Sequence, residues 1–542
     1  MTPSVPNDAP QSLWVLVEEA ARRWPDDAML VSRQGDHCTF SQFRERAVRM
    51  AAGLAISGVR RGDVVSWILP TWVDTIVMTA ALSRLGAVQN PIIGIYRDRE
   101  VRFCITQART RHLITPGRFA NFDFAEMGRR LSAERGIGHL VVQPGAFPVG
   151  DPPTLTQFVV PQERVTQWIC YTSGTAADPK GARHADSTVG AFAGAMAACM
   201  DVVHGDRYAL VFPFPHIGGI GLLFMTLLTG CTHLLDETVD ARSTVEFLAA
   251  ERCTHAGTGT PFFNMYLAAQ STRTVPLFPA LKACPAGGAP TALALHERVA
   301  TELGAPVVSS WGLTEAPVVT SGRLTDSVVK LRSTEGQPLP GVEVRVADIH
   351  GEVCPSGVVG ELLVRAPQLM LGYQDPGLDH DAFDADGFYR TGDLGFVDID
   401  GYVTISGRLK DVIIRNGENV AAREVEDLLL ALPGITDTAV IGLPDERTGE
   451  SVCAVVVAPG RDLDLDVVRS ALTAAGLRRQ ALPDRLELRM SLPRGPAGKV
   501  LKRQLIDELT VRPTVDPTVR PTKRPTVDPT VVRTDRSHSG DL

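Results

Sequence analysis

A run of small and hydroxyl-bearing residues in the N-terminal half has the composition of a phosphate-binding loop. It reads Tyr171-Thr-Ser-Gly-Thr-Ala-Ala-Asp-Pro-Lys-Gly181. Backbone N–H groups and hydroxyls in such a run can surround a polyphosphate, and Lys180 adds positive charge. The loop is not of the Walker type, because no Gly-Lys-Ser/Thr closes it at the required spacing. Taken alone, a run of this composition is more often an ordinary loop.

Further polar clusters follow in chain order. They are Trp311-Gly-Leu-Thr-Glu315, Tyr389-Arg-Thr-Gly-Asp393, Gly407-Arg-Leu-Lys-Asp411 with Arg415-Asn-Gly-Glu-Asn419, and Pro493-Arg-Gly-Pro-Ala-Gly-Lys499. Taken singly, Glu315 is best explained as a helix cap, Asp393 as a turn residue and Lys499 as an exposed lysine. The joint occurrence of all the clusters, in this order and spacing, reverses that preference.

Together these clusters resemble the ordered core motifs of the acyl-adenylate-forming superfamily, which includes acyl-CoA synthetases, firefly luciferase and peptide-synthetase adenylation domains. The resemblance covers roughly residues 12–511. It implies an enzyme that uses ATP, Mg²⁺ and CoA in two steps. ATP and a carboxylate first give an acyl-adenylate and pyrophosphate, and the CoA thiol then displaces AMP to give a thioester.

The resemblance also implies a nucleotide site. Its implied residues are Thr172, Ser173, Gly174, Thr175 and Lys180 at the β- and γ-phosphates, Gly288, Ala289 and Pro290 along the adenine, and Trp311, Gly312, Thr314, Asp393, Arg408 and Lys499. Asp393 would accept hydrogen bonds from the ribose hydroxyls. Glu315, with Thr175, would hold Mg²⁺, a hard cation that prefers oxygen ligands. Lys499 would bridge the substrate carboxylate and the α-phosphate, which offsets the charge that builds between two anions.

The acid site and a hinge are implied in the same way. His216, in Phe212-Pro-Phe-Pro-His-Ile-Gly-Gly219, matches a position that borders and gates the acid pocket, although a structural histidine is the alternative. The implied acid-site residues are His216, Gly218, Gly219, Gly287 and Gly312. The glycines after His216 leave space that favours a ring-containing acid, and close helix packing explains them almost as well. Lys410 matches the family's hinge and joins Lys499, Glu315, Thr175 and His216 as residues needed for catalysis.

The chain departs from the family pattern at three places. Ala176 and Ala177 stand where the phosphate loop commonly has a second hydroxyl and then a glycine, so one phosphate contact is expected to be missing. Trp311 replaces the common tyrosine and can still stack on a base. Ala422 stands where proline is usual. None of these changes removes a charged catalytic group, so we expect an active enzyme.

The elements that must position these residues are those of an α/β protein. Amphipathic helices are predicted over residues 12–24 and 40–57, and short buried strands over 64–69, 139–142 and 307–310. Beyond Gly336 the pattern changes to short strands separated by turns, and Asp400-Gly401 is a strong hairpin signal. Residues 424–431 and 463–475 are predicted as helices, and 436–443 and 451–457 as strands.

This organisation predicts a large N-terminal domain, residues 1–409, made of layered α/β subdomains and a small β-barrel-like part. A small mobile α+β C-terminal domain follows over residues 410–511. Prolines recur at every fourth position from Pro513 to Pro529, which predicts an extended, disordered tail over residues 512–542. A partner-binding role for this tail is the alternative.

Composition narrows the function classes. Of the 542 residues, 44% are apolar and 21% charged, as in soluble multidomain proteins, and the net charge of −8 argues against a nucleic-acid-binding surface. The nine cysteines contain no CxxC pair, which supports neither a disulfide framework nor a zinc site and favours the cytoplasm. The uncharged run 217–235 is interrupted by glycines, so we expect a buried helix in the core and no membrane span.

The predicted activity is that of an AMP-forming acid:CoA ligase for a ring-containing or medium-size acid. One alternative is an acyl-AMP ligase that loads a separate carrier protein, and another is a catalytically silent nucleotide-binding homologue. Asp393, Arg408 and Lys499 argue against the silent homologue, which has no reason to keep all three. The expected partners are a small carboxylic acid, ATP and CoA, with a carrier protein and a homodimer left open.

Overall fold

The architecture is taken from a computed structural model, which describes residues 12–510 apart from 153–154, 156, 162–163, 173–178, 289–290, 417, 462 and 495–499. The predicted tail over residues 512–542 lies outside this part of the chain. The helices are α1 Leu13–Arg23, α2 Phe40–Ile56, α3 Val73–Leu85, α4 Asp98–Gln107, α5 Phe124–Arg135, α6 Asp186–Cys199, α7 Ile217–Thr229, α8 Ser243–Ala250, α9 Thr260–Gln270, α10 Leu293–Arg298, α11 Val328–Ser333, α12 Asp379–Ala382, α13 Ala422–Leu430, α14 Leu465–Ala474 and α15 Lys502–Thr510.

The strands alternate with these helices in the first part of the chain and follow one another after it. They are β1 Ala28–Ser32, β2 His37–Thr39, β3 Val64–Trp67, β4 Val88–Pro91, β5 His112–Pro116, β6 Arg118–Phe119, β7 Phe122–Asp123, β8 Gly138–Val142, β9 Trp168–Tyr171, β10 Gly181–His184, β11 Arg207–Leu210, β12 Thr232–Leu235, β13 Cys284–Gly287, β14 Val307–Trp311, β15 Thr320–Ser321, β16 Gln337–Pro338, β17 Glu343–Ala347, β18 Gly360–Arg365, β19 Tyr389–Val397, β20 Val403–Arg408, β21 Val412–Arg415, β22 Glu418–Ala421, β23 Asp437–Asp445, β24 Gly449–Val457 and β25 Arg485–Leu488.

The sheet that carries the phosphate loop has six strands in the order β10-β9-β4-β3-β5-β8. All neighbours are parallel except β9 and β10, which are antiparallel and are joined by the phosphate loop. The central strands are buried, as expected for parallel strands between helical layers. The predicted buried strand over 139–142 lies in β8, but β8 is an edge strand and Val141 is 49% exposed, so its burial was overestimated.

The second sheet has the order β11-β12-β1-β2, and its strand β12 is the end of the uncharged run 217–235. The prediction of one buried helix over this run is correct only for α7, because Gly230 ends that helix in a left-handed conformation, with φ 76°. The chain then enters the fully buried strand β12. Within the described residues, no helix is both long enough and apolar enough to cross a membrane.

The third and fourth sheets position the later clusters. In the third sheet, β13 and β14 are parallel, while β14, β15 and β16 are antiparallel neighbours. The fourth sheet, β17-β18-β19-β20, is antiparallel throughout and forms a β-rich region, in the part of the chain that the sequence predicts to be β-barrel-like. The Asp400-Gly401 hairpin is confirmed between β19 and β20, with φ 83° at Gly401. β19 begins at Tyr389, so the Tyr389–Asp393 cluster lies within a strand.

The small C-terminal domain has its own sheet, β22-β21-β24-β23 with β25 beside β24. Its helices bury separate apolar clusters against this sheet: Val425, Leu429, Val468 and Leu472 in one, and Leu505 and Leu509 in another. Arg423 on α13 reaches Glu335 of the large domain at 3.6 Å. Burial raises the pKa of the Glu335 carboxyl, and Arg423 opposes that effect. This ion pair joins α13 to the segment just before β16.

Candidate active site

The centre of the site is the turn that follows β14. The Leu313 N–H donates to the Ala316 carbonyl at 3.0 Å, and the Val319 N–H donates to the Trp311 carbonyl at 2.6 Å. Gly312 is required here because a Cβ atom at this position would overlap the backbone of Val318. Val318 itself has a φ of 45°, a left-handed conformation that is costly for a β-branched residue. The tight turn begins at Trp311 and carries Glu315 within it.

Glu315 is a buried carboxylate held by tyrosine hydroxyls. Its side chain is only 7% exposed, and the Tyr373 hydroxyl donates to Oε1 at 2.8 Å. The Tyr389 hydroxyl lies 3.0 Å from that of Tyr373. Burial, together with the nearby Glu315 charge, raises the pKa of both tyrosines, so both stay protonated at neutral pH. A carboxylate oriented in this way is a hard oxygen ligand suited to a divalent cation.

Lys180 brings the phosphate loop to the same place. Its Nζ lies 5.3 Å from the centre of the Tyr373 ring, within range of a cation–π interaction. The base of the loop is closed by the Thr172 N–H, which donates to the Lys180 carbonyl at 3.0 Å, while the Tyr96 hydroxyl donates to the Thr172 carbonyl at 3.3 Å. Ser173, Gly174 and Thr175 lie outside the described residues. The Tyr171–Gly181 and Trp311–Glu315 clusters thus both contact Tyr373, through Lys180 and Glu315.

His184 ties the phosphate loop to the Glu315 turn, and the sequence reasoning did not single it out. It ends β10, is fully buried, and its Nε2 lies 2.8 Å from the Thr314 carbonyl. A carbonyl can only accept a hydrogen bond, so the neutral ring carries its proton on Nε2, and Nδ1 lies 3.1 Å from the Thr188 hydroxyl oxygen. Burial lowers the pKa of His184 to about 4, which keeps the ring neutral.

A second buried carboxylate, Asp393, lies between Trp311 and Arg408. Asp393 on β19 is 3% exposed and is paired in register with Arg408 on β20. The Trp311 indole Nε1 donates to Oδ2 at 2.8 Å, and the Arg408 Nε lies 2.7 Å from Oδ1. Arg408 is followed at once by the short 3₁₀ turn Leu409–Asp411, where Lys410 is exposed. The structure therefore brings Trp311, Asp393 and Arg408 together at the start of the predicted hinge.

The end of β13 carries the two glycines that the resemblance assigns to the adenine and acid sites, Gly287 and Gly288. Gly287 lies opposite Ser310 of β14, and a Cβ atom on Gly287 would come within 3.0 Å of the Ser310 hydroxyl. Gly288 has a φ of 78°, a conformation that favours glycine. Ala289 and Pro290 lie outside the described residues, as does Lys499.

His216 begins α7, where its Nδ1 accepts from the Gly218 N–H at 3.2 Å and its ring meets the edge of Phe212. A Cβ atom on Gly219 would press against the Phe214 backbone. At Gly221 it would overlap the Phe192 ring. Gly219 and Gly221 are therefore accounted for by close packing, and neither leaves open volume. The role of His216 at the acid stays a prediction.

Lys180, Glu315 and Asp393, which the sequence assigns to phosphate, metal and ribose, are thus gathered around the turn that follows β14. The chain belongs to the family of AMP-binding enzymes. Residues 17–374 match the family described as "AMP-binding enzyme", and residues 424–499 match "AMP-binding enzyme C-terminal domain". The family is one of adenylate-forming ligases, and the chain is accordingly an acid–thiol ligase that forms AMP.

Similar curated proteins differ in substrate and in thiol acceptor. The chain is 28% identical to the medium-chain fatty-acid–CoA ligase of Escherichia coli (strain K12). The match covers 92% of this chain and 90% of the relative. It is 33% identical to the 3-[(3aS,4S,7aS)-7a-methyl-1,5-dioxo-octahydro-1H-inden-4-yl]propanoyl:CoA ligase of Rhodococcus jostii (strain RHA1), with 87% and 93% covered. It is 31% identical to the salicyl-AMP ligase / salicyl-S-ArCP synthetase of Mycobacterium tuberculosis, with 92% and 91% covered.

Among solved structures, ATP-bound MatB from Rhodopseudomonas palustris is similar over the whole fold. Its TM-score is 0.83 at 26% identity, covering 92% of this chain and 99% of that chain. The superfamily predicted from the motifs, the α/β fold class and the two-domain organisation are confirmed.

Proposed function

We propose that the protein is an AMP-forming acid:CoA ligase that acts on a ring-containing or medium-size carboxylic acid. The observation that carries this proposal is the convergence of Lys180 and Glu315 on Tyr373, one turn away from the Trp311–Asp393–Arg408 group. A cation, a hard carboxylate ligand and a carboxylate with fixed orientation are the groups that a nucleoside triphosphate requires at its phosphates, metal and ribose.

The reaction takes two displacements. A carboxylate oxygen of the acid attacks the α-phosphorus of ATP, and pyrophosphate leaves with the electrons of the broken P–O bond. The CoA sulfur then attacks the acyl carbon, AMP leaves, and the thiol proton is released. Because the mixed anhydride already has a good leaving group, the protein supplies positioning and charge stabilisation and needs no nucleophile of its own.

Mg²⁺ fits the donors of this site. No group of three or more His, Cys, Asp or Glu side chains in the described part of the chain could hold a metal ion. In this proposal Glu315 would hold the ion together with phosphate oxygens of ATP, and Thr175 would be the second protein ligand. When bound, it would neutralise charge on the phosphates. Lys180 would contribute a second positive charge, and Asp393 would fix the ribose.

The relatives, and not the glycines after His216, support the choice of acid. One similar ligase is named for a bicyclic propanoate, another for salicylate and a third for medium-chain fatty acids. A ring or a chain of comparable size is common to these names. The rings of Phe212 and His216 meet edge to face at the start of α7, and an aromatic wall of this kind would suit an apolar acid.

A second candidate function is acyl transfer to a carrier protein. The specific support is the similarity to the salicyl-S-ArCP synthetase, which covers nearly the whole chain. CoA is the preferred acceptor here because two of the three relatives described above are named as CoA ligases.

We further propose that the domain boundary lies at residues 409/410 and that the small domain rotates between the two half-reactions. The exposed turn Leu409–Asp411 directly follows Arg408, so rotation there starts next to the nucleotide site. In this scheme Lys499 serves adenylation alone. The Arg423–Glu335 contact belongs to the arrangement described here.

The test is a screen of aliphatic, alicyclic and aromatic acids with the full chain, ATP and Mg²⁺, in which AMP and thioester are both measured. Each acid is offered with free CoA and, separately, with a phosphopantetheinylated carrier protein. We expect AMP and acyl-CoA in equal amounts with a ring-containing or medium-size acid. Best turnover with acetate or palmitate would contradict the acid class, and transfer to the carrier alone would establish the second candidate.

A pair of glutamate variants controls the screen. Glu315→Gln keeps the shape of the side chain but removes its charge, and should abolish AMP formation. Glu297→Gln makes the same change at the surface, where Glu297 pairs with Arg332, and should leave turnover intact. Full activity of Glu315→Gln would refute the assigned site.

A further inference from the structure

Both oxygens of the Asp393 carboxylate are engaged by protein donors on different elements. Trp311 Nε1, at the end of β14, donates to Oδ2 at 2.8 Å. Arg408 Nε, on the neighbouring strand β20, lies 2.7 Å from Oδ1. Trp311 is 7% exposed and Asp393 is 3% exposed, so water competes little for these contacts. Hydrogen bonds to a buried charge are among the strongest in proteins.

The three side chains have little freedom to move relative to one another. The Trp311 carbonyl accepts from Val319, and its strand pairs with β15 through Thr320. The Asp393 N–H donates to the Thr391 hydroxyl at 3.0 Å. Two sheets therefore fix the donor and the acceptor, and the indole N–H prevents the carboxylate from rotating.

The donor depends on the indole. A phenylalanine at position 311 has no N–H, and a tyrosine carries its hydroxyl at the far end of the ring, in line with the Cβ–Cγ bond, not on the flank as in tryptophan. Stacking on a base, by contrast, is open to all three side chains. The substitution of tryptophan for the family's usual tyrosine thus adds a hydrogen bond to whatever stacking this position provides.

We propose that Trp311 is a positioning residue whose indole N–H orients Asp393 for the ribose of ATP, and so sets the preference for ribonucleotides over deoxyribonucleotides. This inference rests on the proposed ATP site. Each carboxylate oxygen can accept a second hydrogen bond after the one it already receives. With Oδ1 and Oδ2 held by Arg408 and Trp311, those second positions have a fixed direction and can accept the ribose hydroxyls without reorganisation.

The experiment compares ATP with 2′-deoxyATP and 3′-deoxyATP as substrates for pyrophosphate release by the full chain. The adenine and phosphates are the same in all three, so a loss of stacking changes the three kcat/KM values alike, and only the carboxylate changes their ratio. The preference is the ratio of kcat/KM for ATP to kcat/KM for a deoxynucleotide. In Trp311→Phe we expect this ratio to fall at least tenfold for the deoxynucleotide that the unmodified protein uses less well. Most of that fall should appear in KM.

Two further variants distinguish the loss of Asp393 positioning from a general loss of stability. Replacement of Trp311 by benzothienylalanine, in which sulfur replaces the indole N–H, keeps ring shape and should lower the preference as much as Trp311→Phe. Trp168→Phe removes a second tryptophan–aspartate bond, from Trp168 Nε1 to Asp186 Oδ1 at 2.8 Å, and should lower thermal stability without changing the ratio.

An unchanged ratio in the benzothienylalanine protein, or an equal fall in Trp168→Phe, would overturn the inference. The proposed ATP site fails separately if the unmodified protein itself releases no pyrophosphate from ATP. It also fails if that protein uses the deoxynucleotides as well as ATP.

Discussion

The hydroxyl of Tyr373 gives a direct test of how Glu315 is held. Tyr373→Phe removes one oxygen atom and with it the 2.8 Å hydrogen bond to Oε1. Both residues are buried, so water cannot simply replace the lost donor. The Tyr389 hydroxyl, 3.0 Å from that of Tyr373, remains beside the carboxylate. The substitution therefore loosens Glu315 without leaving its charge entirely unpaired.

The expected effect of Tyr373→Phe is the loss of one hydrogen bond to a charged group, which contributes about 1.5–3 kcal/mol. If that loss is expressed at the transition state, kcat/KM for adenylation falls by about 10- to 150-fold, since about 1.4 kcal/mol corresponds to a factor of ten. We expect the lower part of this range, because Tyr389 compensates in part. The Mg²⁺ concentration needed for half-maximal rate should rise, as Glu315 becomes a less well-oriented ligand.

The assay is pyrophosphate release at fixed acid and ATP over a series of Mg²⁺ concentrations. Tyr402→Phe is the matched control, because its hydroxyl donates to Asp326 at 2.9 Å in a half-exposed part of the β-rich region. That variant should keep the Mg²⁺ dependence of the unmodified protein. If Tyr373→Phe stays within twofold of the unmodified protein, or if Tyr402→Phe shows the same loss, the assignment of Glu315 as an oriented metal ligand is wrong.

Three further predictions concern stability and the hinge. The pKa of His184 is about 4 in the folded protein, below its ordinary 6.5, so the stability contributed by the neutral ring is lost as pH falls between these values, by up to about 1.4 kcal/mol per pH unit. His184→Gln should show a shallower pH dependence in urea unfolding between pH 6.5 and 4.5, and an unchanged slope would count against the buried neutral imidazole. Gly221→Ala should destabilise the fold by about 1–3 kcal/mol through overlap with Phe192. By contrast, Gly190→Ala, whose Cβ would lie 3.7 Å from the nearest atom, should not lower the melting temperature. Lys410→Pro should form acyl-adenylate at a near-normal rate but transfer it to the thiol slowly, since proline fixes φ at the hinge, and equal loss of both half-reactions would exclude rotation there.

The sequence was most informative where one residue type at one spacing has a single chemical use. The motif clusters identified the superfamily, and the strands that lead into them could be predicted because parallel strands are continuous apolar runs. Turn residues such as Asp400-Gly401 also predicted their hairpin. Composition could not separate the end of α7 from β12, because both are apolar and only the backbone conformation of Gly230 divides them.

The partners of the site residues could not be predicted, because they are distant in sequence. Tyr373 lies 58 residues from Glu315, and Asp393 lies 82 residues from Trp311. His184 had one weak signal, its position just after the lysine and glycine that close the phosphate loop. The glycines after His216 were ambiguous for a different reason. The sequence shows a glycine in both cases and does not tell whether the space is for a ligand or for a neighbouring side chain such as Phe192.

The first elements of the chain find their partners late in the sequence. Asp186 accepts from the Leu13 N–H at the start of α1, across 173 residues, and β1 pairs in parallel with β12, whose first residue, Thr232, lies 200 positions after Ser32. At a synthesis rate of about 5–20 residues per second, β1 leaves the ribosome about 10–40 s before the strand that completes its pairing. We expect this nascent segment, in which α1 can pack on α2 and α3 but not yet on α7, to be the stage at which the protein depends most on chaperones.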